Sequence, residues 1–167
     1  MTTEIPALPE KYREFKALID GSISDASSSE KYHWKAEAPF TGQGAAIALL
    51  VQSRLGGDIV TVDASSGTEW RTKSAYHYNL VDGQELHFCT EDLPDNPTLQ
   101  KPRRTPDALG AMYNPVSCAN ALIERYNILA KDDLPKIEVY QAPRPKWMET
   151  EQANIASDWI PVNNGPQ

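Results

Sequence analysis

The chain has 167 residues, 40% of them hydrophobic and 23% charged, enough for a single domain with one sizeable core. Its formal net charge of -7 excludes a general nucleic-acid or anionic-membrane binder, since neither polyanion gains from meeting an acidic surface. No stretch approaches the ~20 apolar residues that a membrane-spanning helix needs, and Met1–Pro6 lack the regions of a signal peptide. With only Cys89 and Cys118 to oxidise, far apart, the expectation is a cytoplasmic protein with reduced thiols.

In chain order, Tyr12, Phe15, Leu18 and Ile19 fall at helical spacing and predict an amphipathic helix over Pro9–Ile19, started by Pro9 and stopped at Gly21. The Ser/Asp-rich run Ser22–Glu30 reads as a loop, and Tyr32, Trp34 and Phe40 as an aromatic approach in which His33 is a packing or rim residue. Gly42–Leu55 follows, a helix apolar on almost every side and therefore buried. Thr41 is its expected cap, and Gly56-Gly57 its stop.

Asp58–Asp63 is β-branched and reads as a strand, and Ala64–Thr72 as a polar turn from which Trp70 folds back. Ser74–Leu80 and Gln84–Thr90 predict a hairpin around Val81-Asp82-Gly83. Glu91–Tyr113 is rich in Pro, Asp and Asn and reads as irregular, with a helical turn near Asp107–Ala111. Lys101, Arg103 and Arg104 read as a solvated loop there, not a phosphate patch.

A second clear helix is capped by Asn114, with Pro115 at its first position and Ala119, Leu122, Ile123, Tyr126 and Leu129 as its buried stripe. Beyond it lie a possible strand at Ile137–Tyr140, a short helix near Met148–Ile155, and a Pro-rich tail that Trp147 and Trp159 could pin to the surface. The division expected is a domain over 1–131 and an extension over 132–167, packed on the domain or extending from it.

Trp34, Pro39, Gly42-Gln43-Gly44-Ala45, Ala48-Leu49-Leu50-Val51-Gln52 and Gly56-Gly57 stand in an order that resembles the YunG-like family. Ser74 through Asp82-Gly83 and Glu85 resemble that family's histidine-containing hairpin, and Arg125-Tyr126 with Leu129 its closing helix. The likeness covers Tyr12–Lys131. It implies a papain- or transglutaminase-like arrangement: a cysteine at a helix N-terminus, where the dipole favours the thiolate, a histidine base on a strand, and a carboxylate on the next strand to orient it.

Position by position, the implied set is missing. The cysteine position holds Gly44. The histidine position falls on Ala75 when aligned without gaps to Asp82-Gly83, although a two-residue slip brings His77 there, and the aspartate position holds His87. The resemblance therefore implies a pseudoenzyme.

Other chemistries are open. If a bulged hairpin pairs Leu80 with Gln84, then His77 lies opposite His87 and Ala75 opposite Cys89 on one face. His77, His87 and Cys89 would then be acceptable zinc ligands, with Glu91 near. The competing account is two histidines packed beside a small apolar cysteine, with no cofactor at all, and a tight two-residue turn at Asp82-Gly83 would separate the histidines. The free amides at Gly42–Ala45 could hold an anion, but they lack the lysine and spacing of a P-loop.

The expected fold is α+β, a central buried helix packed on a small, mostly antiparallel sheet. The expected function is a binding or regulatory protein for a peptide or protein partner, with Gln43, Gly44 and His77 as ligand-contacting residues. The alternatives are an enzyme with migrated or metal-assisted chemistry on His77, His87 and Cys89, or an interaction module whose tail makes the contacts.

Overall fold

The computed structural model describes residues 2–66, 69–100 and 113–139. Three helices, α1 (Arg13–Asp20), α2 (Gly44–Leu55) and α3 (Tyr113–Ala130), accompany four strands, β1 (Asp58–Ser66), β2 (Glu69–Val81), β3 (Gln84–Leu86) and β4 (Pro97–Leu99). The strands form one antiparallel sheet in the order β3-β2-β1-β4. The class is α+β, as composition and periodicity suggest.

Helix α2 is buried because its sequence leaves no polar face: every residue from Ala45 to Val51 is buried. Its small alanines let it lie close to β1 and β2 on one side and to α3 on the other. Ile59, Val81 and Leu86 meet it from the sheet, and Ala119, Leu122, Ile123 and Tyr126 from α3. Asn79, buried at the same interface, donates its side-chain N–H to the Ala48 carbonyl at 2.9 Å. Phe15 ties α1 into this core through edge contacts with Phe88 and Tyr126.

Helix ends differ from the sequence expectation: α1 begins at Arg13, after a 3-10 turn at Glu10–Tyr12, and α3 begins at Tyr113, so Asn114 lies within its first turn and is not its cap. Thr41 does not cap α2. Gly42 turns the chain at φ +71° and leaves Gln43 at the cap position, with no side-chain cap bond, so Thr41 lies two residues too early. Leu129 is half exposed and lies over Gly21, outside the buried core cluster. Tyr32 is 93% exposed and His33 exposed, so the aromatic cluster around His33 does not form; of the three, only Trp34 turns in, donating to the Pro39 carbonyl.

The stretch read as a polar turn after Asp63 is strand. β1 runs on to Ser66 and β2 begins at Glu69, making one long hairpin in which Thr61 pairs with His77 and Val62 with Tyr76. Alternation, not polarity, governs here: the odd residues of β1 face α2, while Val62, Ala64 and Tyr76 build a smaller core on the far face with Leu93 and Leu99. Ser and Asp at intervening positions sit on a strand whose other residues are buried.

After α3 the expected strand at Ile137–Tyr140 is, over its described residues, an extended segment without ladder pairing. Two asparagines of α3 hold it. Asn120 and Asn127 each donate to a carbonyl (Ile137 and Leu134) and accept from the amide of the same residue, at 2.7–2.9 Å. Trp147, Trp159, the helix expected near Met148–Ile155, the turn near Asp107–Ala111 and the Lys101, Arg103, Arg104 cluster lie outside the described residues.

Candidate functional site

The turn that delivers α2 is built tightly. A Cβ on Gly42 would lie 2.5 Å from Ser28 Oγ and 2.8 Å from the Glu30 amide, so only glycine fits. Its amide donates to Asp92 Oδ2 at 3.2 Å, and its carbonyl accepts from the Ser29 amide. The Gln43 side chain, fully buried, accepts from Ser27 Oγ at 2.6 Å and donates to the Ser24 carbonyl at 2.7 Å. Gln43 was a predicted ligand contact; its amide group is instead committed to fixing the loop against the helix.

Gly44 is therefore the first helical residue, with the helix N-terminus left uncapped by any side chain. The space above it is open. Among the described residues, and leaving aside its own helix and chain neighbours, His77 Cδ2 is the atom an ideal Cβ at Gly44 would meet, at 3.7 Å. Gly44, Ala75, His77, Cys89 and Asp92 line one cleft of about 290 Å³, with Ser29 and Glu30 at its edge.

His77 projects from β2 on the α2 side of the sheet, half-buried. Its Nδ1 bonds the Thr61 hydroxyl at 2.9 Å, across the β1–β2 ladder. The imidazole is thus oriented by a neutral hydroxyl from β1, where the sequence argument sought a carboxylate from β3. Thr61 was missed because its role depends on the register of β1 against β2, which nothing in the local sequence announces. Asp92, which fixes Gly42 from fifty residues away, carried no local signal either.

His87 belongs to a different place. The hairpin turn is the tight two-residue kind, with Asp82 at φ 50° and Gly83 at φ 78°, and it pairs Val81 with Gln84 and Asn79 with Leu86. The bulged register is therefore not the one formed, and a one-residue difference puts His87 on the face opposite His77. There it is sandwiched between Tyr76 and Tyr78, with ring centroids 5.7 and 4.5 Å away. Its Nδ1 bonds the Tyr76 hydroxyl at 2.6 Å, and its Nε2 bonds Glu85 at 3.0 Å. Burial pushes the Tyr76 phenol well up.

The zinc set fails on this geometry. His77 and His87 cannot share an ion across the sheet, and among the described residues no group of three His, Cys, Asp or Glu could hold a metal. Cys89 does reach the cleft, but it is only 3% exposed. Burial, reinforced by the charges of Asp92 and Glu91, pushes its thiol up to about 12. Cys118 is also free and buried, against the Ser28 carbonyl.

A helix start facing a histidine-bearing β-ribbon, entered through Gly-Gln-Gly, is the part of the chain that the resemblance rests on. A family model described as YunG protein matches residues 11–132. The chain belongs to the YunG family. The matched region runs from the turn before α1 to just past the end of α3, and so contains every described residue that lines the cleft. No curated protein and no solved structure matches the chain. Among the described residues, no helix is long and apolar enough to cross a membrane.

Proposed function

We propose that this YunG-family chain is a pseudoenzyme: a papain- or transglutaminase-like cleft that binds a peptide or protein group without transforming it, and so serves binding or regulation. The observation that carries the reading is the vacancy at Gly44. A side chain there would project from a helix N-terminus toward an imidazole 3.7 Å away, the position a thiolate nucleophile needs, and glycine supplies none. The retained features favour binding: His77 is held by Thr61, the loop before Gly44 is locked by Gln43, and the cleft stays open.

Cys89 is the feature that favours the competing reading, an enzyme with migrated chemistry, because it lines the same cleft as His77. Its raised thiol argues the other way, since a nucleophile at neutral pH requires a lowered one.

The test is Gly44→Cys. At neutral pH the new thiol is expected to alkylate with iodoacetamide at least about tenfold faster than an ordinary exposed cysteine, and His77→Ala in the same background is expected to remove most of that gain. A residue-44 thiol that reacts no faster than an ordinary exposed cysteine, or that is indifferent to His77, would falsify the vestigial-site reading. Rapid labelling of Cys89 in the unmodified chain would favour the migrated enzyme instead.

A further inference from the structure

β2 is the longest strand and the least evenly partnered. β1 accompanies it from Glu69 to Leu80, whereas β3 accompanies it only from Asn79 to Val81. In a hairpin closed by a two-residue turn, the pair flanking the turn, Val81 and Gln84, exchanges both main-chain bonds. The alternation then continues along the strand: Val81, Asn79, His77 and Ala75 direct their N–H and C=O groups toward the β3 side, and Leu80, Tyr78 and Tyr76 direct theirs toward β1.

β3 stops at Leu86, opposite Asn79, and the chain leaves it through a 3-10 turn at Thr90–Asp92. Among the described residues no strand is paired to this side of β2 beyond Asn79. Ala75, whose side chain is exposed, therefore presents a main-chain donor and acceptor along the cleft that also contains the space over Gly44. Natural proteins guard such edges unless they are used.

Charge narrows the occupant. Glu30 and Asp92 both line the cleft, and Asp92 is pressed by burial and by the Glu30 charge toward its protonated form. The chain as a whole carries a net charge of -7. A cation placed between these carboxylates would relieve their repulsion, and an anionic guest would add to it.

Building on the cleft-binding reading above, we infer that the partner is an extended basic segment of another protein. It adds as a strand beside β2 at Ala75, drops one side chain into the space over Gly44, and sets a lysine or arginine against Glu30 and Asp92. Main-chain bonds to Ala75 supply affinity, and the Gly44 space and the two carboxylates supply selectivity.

The experiment is selection of random linear peptides displayed on phage against the full chain. The enriched peptides are then resynthesised with alternate backbone amides N-methylated. The expected result is enrichment of Lys or Arg, binding about tenfold weaker after N-methylation (the loss of one or two main-chain bonds) and slower exchange of the Ala75 amide on binding. Glu30→Gln should weaken the basic peptides, and Gly44→Phe, whose side chain enters open space, should block them while circular dichroism stays unchanged. Should Gly44→Phe not fold, the N-methylated peptides on the unmodified chain decide the matter.

Failure to enrich any peptide, enrichment of acidic ones, or indifference to N-methylation overturns the inference, as does a second copy of the chain occupying the edge in solution. If Gly44→Cys shows the His77-dependent reactivity while strand addition fails, only this inference falls. If that reactivity is absent, the vestigial-site reading falls whatever the peptides do.

Discussion

Gln43 and Gly44 are neighbours in sequence and opposites in use. Gln43 turns inward and joins the loop at Ser24 and Ser27 to the helix; Gly44 faces the cleft with nothing to offer but room. Replacing Gln43 with Ala should cost about 2–3 kcal/mol, because a cavity opens and buried polar groups lose their partner. Gln43→Glu should cost more, since a carboxylate would meet the Ser24 carbonyl without a donor. Urea midpoints for the two variants check the order. The sequence marks both residues as special through the Gly-Gln-Gly entry but cannot say which one faces the cleft. That distinction depends on Gly42, whose left-handed turn is dictated by contact with Ser28 and Glu30, residues brought close only by folding.

At the scale of elements, the legible parts were those fixed by local pattern. The buried helix, the amphipathic opening helix and most of the α3 stripe follow from apolar periodicity, which burial enforces directly. The long reach of β1 and β2 was hidden because Ser, Gly and Thr in Ala64–Thr72 look like turn residues until the partner strand is known. The hairpin register was the other failure. Asp82-Gly83 suits both a two-residue turn and a bulged one, and a single residue decides whether two histidines meet. The helix-to-strand connection gives a sharper test. Gly56 and Gly57 both have positive φ, but a Cβ on Gly56 meets nothing within 4 Å, whereas one on Gly57 would lie 2.4 Å from the Leu80 carbonyl. Gly56→Ala should cost about 1–2 kcal/mol of backbone strain. Gly57→Ala should cost clearly more, because main chain must move away from β2. Thermal unfolding of the pair distinguishes them.

For the molecule as a whole, buried acids set the pH response. The thiols of Cys89 and Cys118 and the phenols of Tyr76, Tyr78 and Tyr126 are all raised, chiefly by burial. Between the ordinary thiol range near pH 9 and these raised values, the unfolded chain releases protons that the fold retains. The contribution of these groups to stability is therefore full below about pH 9 and falls as the pH rises through the window up to about 12. Denaturant midpoints measured across that window should show the decline, and Cys89→Ala should flatten its lower part. Chain length matters too. Cutting after Lys131 strands the amide groups of Asn120 and Asn127 and bares the α3 face under Leu134 and Ile137, while cutting after Val139 leaves those bonds in place. The shorter product should lose about 2–4 kcal/mol relative to the longer one, read by urea unfolding.

The open space over Gly44 also bears on how this protein can change. A side chain at that position would displace no described neighbour. A thiol at this position would need no accompanying change elsewhere in the core. The architecture therefore leaves room for a thiol at residue 44, and the imidazole of His77 is the group it would meet.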